Sequence, residues 1–497
     1  MNFTWLDTVI VLAYMAGITW FGIRIGGRQS SAKDYFLGGG NIPWWAVCFA
    51  IVATETSTLT FISVPGLAYL TNMNFLQLAL GYFLGRAVAA WIILPFYFRG
   101  ELGTAYGFLR QRFGARLRNL ASGVFMMTRL AADGVRLFAT AIPLAMIVQG
   151  TFIAENFSRE SIYIVSILVI ALVSLSYTYV GGLRAVVWMD VVQLFIYFTG
   201  AVAAVVIVGS KLSGGLSEGV AAAAGAGKFT VFNFSFDGGL QGFFSTPYTF
   251  IGAVAGGAFL SMASHGVDQL IVQRLLAART LAAGRRALVT TGGIVILQFA
   301  LFLFLGSLLF VFYSGAEMNS DEIFPRFILE EMPSGLSGLI IAALFAAAMS
   351  TLSSSMTALG SATMYDYVMP YYKKLNPENE VALSRLITLV WCLLLIGSAI
   401  FFMQSPRIVV EQALSITSFT YGGLLGVFFL GVLFRKPGQR EAIPAFLAGI
   451  GVMLYVILAT SIAWTWYTLI GAAVTVLAGL LLTAGFSRRR PPAADFS

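Results

Sequence analysis

Charge is what this sequence has least of. Asp, Glu, Lys and Arg make up 10% of its 497 residues, where soluble domains carry about a quarter. At this length an ordinary composition would mean roughly three soluble domains. Apolar residues at 58% and a mean hydropathy of +0.85 exclude that. Stretches of about twenty residues almost without charge recur along the chain, the length that crosses a bilayer core. The fold class expected is an all-α polytopic membrane protein with no room for a large soluble domain.

Residues that carry chemistry are just as sparse. The single histidine, His265, cannot anchor a metal cluster, and Cys48 and Cys392 lie inside apolar runs where they read as packing residues. No CxxC, HExxH or phosphate-binding loop is present, which removes the usual support for zinc hydrolases and ATP-driven pumps. A membrane enzyme needs a nucleophile–base pair or a metal, so no enzymatic activity is expected. The first apolar segment lacks a basic leader and a cleavage site and reads as retained. The tail after Phe486 is short, basic and then Pro-rich, with no signalling domain expected. Asn156 and Asn233 head formal glycosylation sequons, but the short loops look bacterial.

Thirteen helices are expected, over 5–23, 44–70, 75–97, 117–149, 161–180, 186–210, 247–273, 287–313, 335–367, 381–404, 408–434, 441–461 and 463–486. With the N-terminus outside, the inward-facing segments hold Arg24, Arg28 and Lys33; then Arg99, Arg110, Arg112, Arg116 and Arg118; then Arg184. They go on with Arg274, Arg279, Arg285 and Arg286; Lys373, Lys374 and Arg385; Arg435, Lys436 and Arg440; and Arg488, Arg489 and Arg490. Outer segments hold only Arg159, Lys211, Lys228, Arg326 and Arg407. This positive-inside alternation explains the pI near 9.4 without nucleic acid and places the C-terminus inside. The Gly/Ala/Ser-rich segment 211–246 is expected outside, irregular with short structured pieces.

An ionisable side chain within a span costs a few kcal/mol. Glu55, Arg86, Arg129, Asp133, Arg136, Asp190, Asp268 and Glu411 all fall in or at the edges of the spans. Arg129 lies on the order of 18 Å along its helix, near the midplane. Asp133 and Arg136 share its face, and one carboxylate cannot neutralise two guanidiniums. The remaining positive charge needs another acid, such as Glu55, or an anionic ligand.

Three spans are interrupted by polar residues. The second runs Ala53-Thr54-Glu55-Thr56-Ser57-Thr58-Leu59-Thr60-Phe61 and on to Pro65-Gly66. The seventh carries Gly256-Gly257, Ser261, His265, Gly266 and Asp268. Helices broken at the midplane free carbonyls for cations and N–H groups for anions; helix–helix adhesion by Ser and Thr is the alternative. Interruptions at matching places point to two five-helix inverted repeats, 44–210 and 247–434. The ninth span places Ala347, Ser350, Thr351 and Ser354 on one face with Ser353 beside them. That hydroxyl strip suits a small hard cation and lacks the carboxylates of a calcium site. Sodium fits, with a proton as the alternative.

Gly181-Gly182-Leu-Arg-Ala185-Val-Val-Trp188-Met-Asp190-Val-Val-Gln193 resembles the GG-x-x-A-x-x-W-x-D-x-x-Q signature of the sodium:solute symporters, and Asp268-Gln269-Leu-Ile-Val-Gln273-Arg274 is similar to their second landmark. The resemblance covers the whole chain and implies the leucine-transporter-like fold. It divides the chain into a peripheral first helix and inner loop (1–43), repeats at 44–210 and 247–434, the external loop 211–246, and two peripheral helices with a basic tail (435–497). It implies a first sodium site of Ala53, Thr56 and Ala347 carbonyls with Ser350 and Thr351 hydroxyls. By likeness to sialic-acid-carrying members it implies a second at Asp190, Ser350, Ser353 and Ser354. It implies substrate beside Thr54, Glu55, Ser57 and Thr60, its carboxylate on Arg129. Gln77, Ser261 and Phe61 are candidate lining residues, Phe61 alternatively packing. Sugar-carrying members favour long amide or acidic side chains where Leu59, Thr60 and Ser261 stand, which disfavours a neutral sugar, while Glu55 departs from the sialic-acid pattern. The implied protein is a sodium-coupled importer of a small organic anion. It sits in a bacterial inner membrane and needs no protein partner; a neutral sugar, amino acid or vitamin is the alternative cargo, and a transport-like sensor the alternative role.

Overall fold

The computed structural model describes residues 4–99, 102–149, 158–235, 237–372, 376–403 and 409–487. Among these there is no β-strand, only an isolated parallel bridge between Ile42 and Ala278. The chain opens with α1 (Trp5–Gly26) and the short α2 (Ala32–Leu37). The first broken pair follows as α3 (Trp44–Glu55) and α4 (Thr58–Leu70), then α5 (Leu76–Ile92), α6 (Leu94–Phe98) and α7 (Ala105–Phe113). The long α8 (Ala115–Gln149) and α9 (Arg159–Lys211) complete the first half, and α10 (Gly215–Gly225) and α11 (Gly239–Ser245) lie in the connecting segment. A second broken pair, α12 (Phe250–Gly266) and α13 (Gln269–Leu276), leads to α14 (Leu281–Phe312), α15 (Ser320–Glu331) and α16 (Leu336–Ala362). The chain closes with α17 (Pro377–Phe402), α18 (Val409–Leu433), α19 (Gln439–Ala459) and α20 (Tyr467–Ser487).

Nine helices among the described residues are long and apolar enough to cross a membrane, or up to 11 if each of two bent pairs is one span. The expected thirteen exceeds that in two places. It counts α9 as two crossings, and it includes α8, whose apolar run is interrupted by Arg129, Asp133 and Arg136. Asn156, Lys373, Lys374, Arg407 and Arg488–Arg490 lie outside the described residues, as does the side chain of Glu411.

The kink in α9 has a cause in the signature motif. Gly182 holds φ 56° and ψ −155°, a region that L side chains avoid. It also lies against the Tyr35 backbone, where a Cβ has no room. In the core, α9 packs on α16, α5 on α12, and α14 on α3, α4 and α5. Gly306 lets α14 approach the Pro65 carbonyl of α4. Around this core, α1 lies on α9, and α20 joins α18 to α19. Outside the spans, Lys228 donates from Nζ to the carbonyls of Tyr69 (2.7 Å) and Thr71 (2.9 Å), tying the connecting segment to the end of α4.

Gly182→Ala is expected to cost at least about 1–2 kcal/mol and lower the unfolding temperature. Gly293→Ala, in α14 with nothing within 4 Å of its Cβ position, is expected to be neutral or slightly stabilising. Equal unfolding temperatures for the two variants would contradict the account of the kink.

Candidate functional site

The α3–α4 break sits in the run of small polar residues from Thr54 to Ser57. The last ladder bond of α3 is Thr56 N–H to the Val52 carbonyl, and α4 begins with Thr60 N–H to that of Ser57. Carbonyls 53–56 are therefore at a helix C-terminus, where the dipole is negative and cations are favoured. The Thr56 hydroxyl donates to Val52 O (2.7 Å) and is held by the Gln298 amide, whose Nε2 donates to it at 2.7 Å. A small cavity there is lined by Ala53 and Thr56 of the break, Gln193, Leu194 and Tyr197 of α9, and Ala346, Ala347 and Ser350 of α16. Four of the five residues expected at the first sodium site thus meet. The fifth, Thr351, turns its hydroxyl to the Ala347 carbonyl (3.1 Å) and lines the neighbouring cavity.

One helical turn from this cavity, the expected second site is built but already holds a cation. Ser350 donates to Asp190 Oδ1 at 2.6 Å, while the Arg274 guanidinium bonds Asp190 Oδ2 at 2.8 Å and also contacts the Ser354 hydroxyl. Both members of the ion pair are fully buried. Ser353 does not join them, donating instead to the Ser350 carbonyl (3.2 Å). Thr54, expected at substrate, belongs here: its hydroxyl donates to Ala50 O (2.7 Å) and lies 3.2 Å from that of Ser354. Arg274 was legible only as part of a motif; nothing in its spacing said that it reaches Asp190.

The second break supplies a carboxylate. Asp268, between α12 and α13, caps α13 by accepting from Leu270 N at 2.8 Å. Its Oδ2 takes Arg129 NH2 (2.5 Å) and the Tyr421 hydroxyl (2.6 Å). Arg129 also bonds Tyr421 (2.5 Å) and reaches Asp133 (3.4 Å), so four of its five N–H donors are used within the protein. Arg129, expected at the substrate carboxylate, is engaged here by Asp268, Tyr421 and Asp133, and Glu55, one acid offered as its balance, is engaged elsewhere. Glu55 pairs at 2.5 Å with Arg86 of α5, whose Nε reaches Ser261 (3.4 Å), and lies 3.6 Å from His265.

Arg136 is the cationic group left facing space. Its one ion pair is with Asp133 at 2.9 Å, and 21% of its side chain remains exposed. It lines a cavity with Ser57, Thr58, Asp133, Thr140 and Thr351. Of the expected substrate residues, Ser57 lies here, and Thr60 is half-buried one turn along α4. Phe61 is packed among Tyr197, Phe302 and Phe324. Gln77 is spent on the carbonyls of Asn74 (3.0 Å) and Tyr248 (3.1 Å) and on Asn233 N. Neither is a lining residue in this arrangement.

The sodium:solute symporter family profile matches residues 35–449. A sodium/sialic acid symporter of Aliivibrio fischeri is 28% identical over 98% of this chain and 94% of its own. The human sodium/iodide cotransporter is 28% identical over 91% of this chain and 69% of its own. A solved structure of a Na+-coupled sialic acid symporter, substrate-bound and outward-open, superposes with a TM-score of 0.85 at 28% identity, covering 98% of this chain and 99% of that one. This chain belongs to the sodium:solute symporter family. It is an integral membrane transporter performing symport, with sodium as the coupling ion.

Asp268→Asn keeps a good helix cap but strips Arg129 of its charge partner. Breaking a buried pair from one side costs about 3–5 kcal/mol, so the purified variant is expected to unfold far earlier even without ligand. Asp268→Asn as stable as the parent would show that Arg129 is not neutralised from within.

Proposed function

We propose that the protein imports a small organic anion, with a sialic-acid-like carboxylate as preferred cargo, by sodium-coupled alternating access. The proposed topology has thirteen spans, N-terminus outside and C-terminus inside, in a bacterial cytoplasmic membrane. Five-helix inverted repeats over 44–210 and 247–434 surround the site, with 1–43 and 435–497 peripheral and 211–246 external. No obligate protein partner and no enzymatic activity form part of the proposal.

Arg136 carries the cargo class. It is the guanidinium in the cavity with a single carboxylate partner and part of its surface open, facing Ser57 and Thr140. Guanidinium is suited to bidentate recognition of a carboxylate. The carriers of sialic acid and iodide found among the relatives both move anions. Proposed contacts are Arg136 and Ser57, with Thr60 alongside and the Glu55–Arg86–Ser261 group behind the break.

Sodium in the first site would be held by the carbonyls of Ala53, Thr56 and Ala347 and the hydroxyls of Ser350 and Thr351. That ion joins the α3–α4 break to α16 and so favours the form that receives cargo. A second sodium on Asp190, Ser350, Ser353 and Ser354 is proposed for a state in which Arg274 has withdrawn from Asp190 Oδ2 and Ser354. A neutral solute is the second reading, favoured by one observation: Arg129 and Arg136 are matched by Asp133 and Asp268 without any ligand.

Uptake of labelled sialic acid and of a neutral sugar into proteoliposomes, with inward sodium or potassium gradients, tests the assignment. Sodium-dependent accumulation of the acid alone is expected. Arg136→Gln is expected to weaken cargo affinity by about tenfold or more, the worth of a hydrogen bond to a charged group, with sodium dependence kept. Ser350→Ala is expected to raise the sodium concentration needed while leaving cargo preference unchanged. Accumulation of the neutral sugar instead, insensitive to Arg136→Gln, would overturn the cargo class.

A further inference from the structure

Three arginines at or just before the start of α14 reach the start of α3 and the end of α5, and none has a carboxylate within 4 Å among the described residues. Arg279 donates from Nε to the Asn41 carbonyl at 3.3 Å, just before α3. The Arg286 guanidinium lies 4.0 Å from the ring centre of Trp44, the first residue of α3. Arg285 stands 5.4 Å from the Trp91 ring near the end of α5 and donates from Nε to the Ala90 carbonyl at 3.1 Å. A guanidinium has five N–H donors, so most of those in this group remain free.

The helix beneath them makes the imbalance worse. Arg285 and Arg286 sit near the start of α14, which Thr280 caps and whose first turn holds no acidic residue. A helix N-terminus is the positive end of the dipole and favours anions. Here it adds to the arginines instead of offsetting them. On the flanks, Trp45 is 38% and Trp91 59% exposed, the pattern of an interfacial aromatic belt. Away from the belt, Val88 and Ile92 of α5 and Leu297 of α14 are exposed apolar side chains along which an acyl chain can lie.

We propose that this arginine group binds the phosphate of an anionic phospholipid headgroup. Phosphate takes paired N–H donors from arginine, and basic pockets between membrane helices select anionic headgroups. Arg285 and Arg286 hold the phosphate, Arg279 flanks it, and the two tryptophans fix the depth. The leaflet follows from the orientation proposed above; the headgroup chemistry does not, and its test uses binding and not transport.

Thermal unfolding of the full-length protein in neutral detergent is followed while phosphatidylglycerol, phosphatidylcholine or inorganic phosphate is added. A rise in unfolding temperature with phosphatidylglycerol, absent with the other two, is expected. Changing Arg285 and Arg286 together to Gln is expected to raise the half-effective lipid concentration on the order of tenfold or more. Changing Arg435 and Arg440 together to Gln is expected to leave it unmoved. Equal shifts with both lipids overturn the proposal without any variant. A shift reproduced by inorganic phosphate removes the lipid as occupant, and a phosphatidylglycerol shift that survives in the Arg285/Arg286 variant removes the arginine group.

Discussion

A helix broken inside a bilayer must have its abandoned backbone groups satisfied by something other than water. This protein meets that constraint twice, in two different ways. At the second break the chain supplies its own partners: Asp268 caps α13, and Tyr97 donates its hydroxyl to the Gly266 carbonyl at 2.5 Å. At the first, side chains settle only part of the demand. Gln298 donates to the Thr56 hydroxyl, but carbonyls 53–56 end a helix beside a small cavity. One break is closed by protein; the other is the place proposed for a cation.

The charges follow the same division. Glu55 pairs with Arg86, Asp133 with Arg136, Asp190 with Arg274 and Asp268 with Arg129. With these four carboxylates each matched to a guanidinium, a lone ion added beside them would unbalance a low-dielectric site. A sodium ion and a carboxylate arriving together would not. On the proposed cargo, coupling is then an electrostatic consequence of neutrality: each ligand raises the affinity for the other, and by linkage the effect is reciprocal.

Much of the architecture could be read from the sequence because membrane spans and broken helices have strong local signatures. The polar run from Thr54 to Ser57 and the α16 hydroxyl strip appear where their spacing put them, while the two spans expected at 161–180 and 186–210 are one helix kinked at Gly182. Partnerships between distant residues were not legible. Arg129 and Asp133 are neighbours on one helix, so their pairing could be anticipated, whereas Asp268 lies 139 residues away in sequence and wins the stronger contact. Arg129 read as the guanidinium with charge to offer, yet Arg136 is the one that lines the cavity, because α8 turns its Arg129 side to the second break. Arg274 occupying the Asp190 site had no sequence signal beyond motif membership. Gln77 and Phe61 were polar and aromatic residues near the right helix, but their directions depend on loops and rings contributed from elsewhere in the chain.

The central claim is that a sodium ion bridges the first break to α16, and equilibrium unfolding against salt tests it most directly. At constant ionic strength, replacing potassium with sodium should raise the unfolding temperature, saturating at high sodium. A site filled to a hundred times its dissociation constant contributes about 2.7 kcal/mol. The same titration on Ser350→Ala should shift to higher sodium. If sodium and potassium stabilise the parent protein identically, no selective cation site joins these helices, and the account of the first break is wrong.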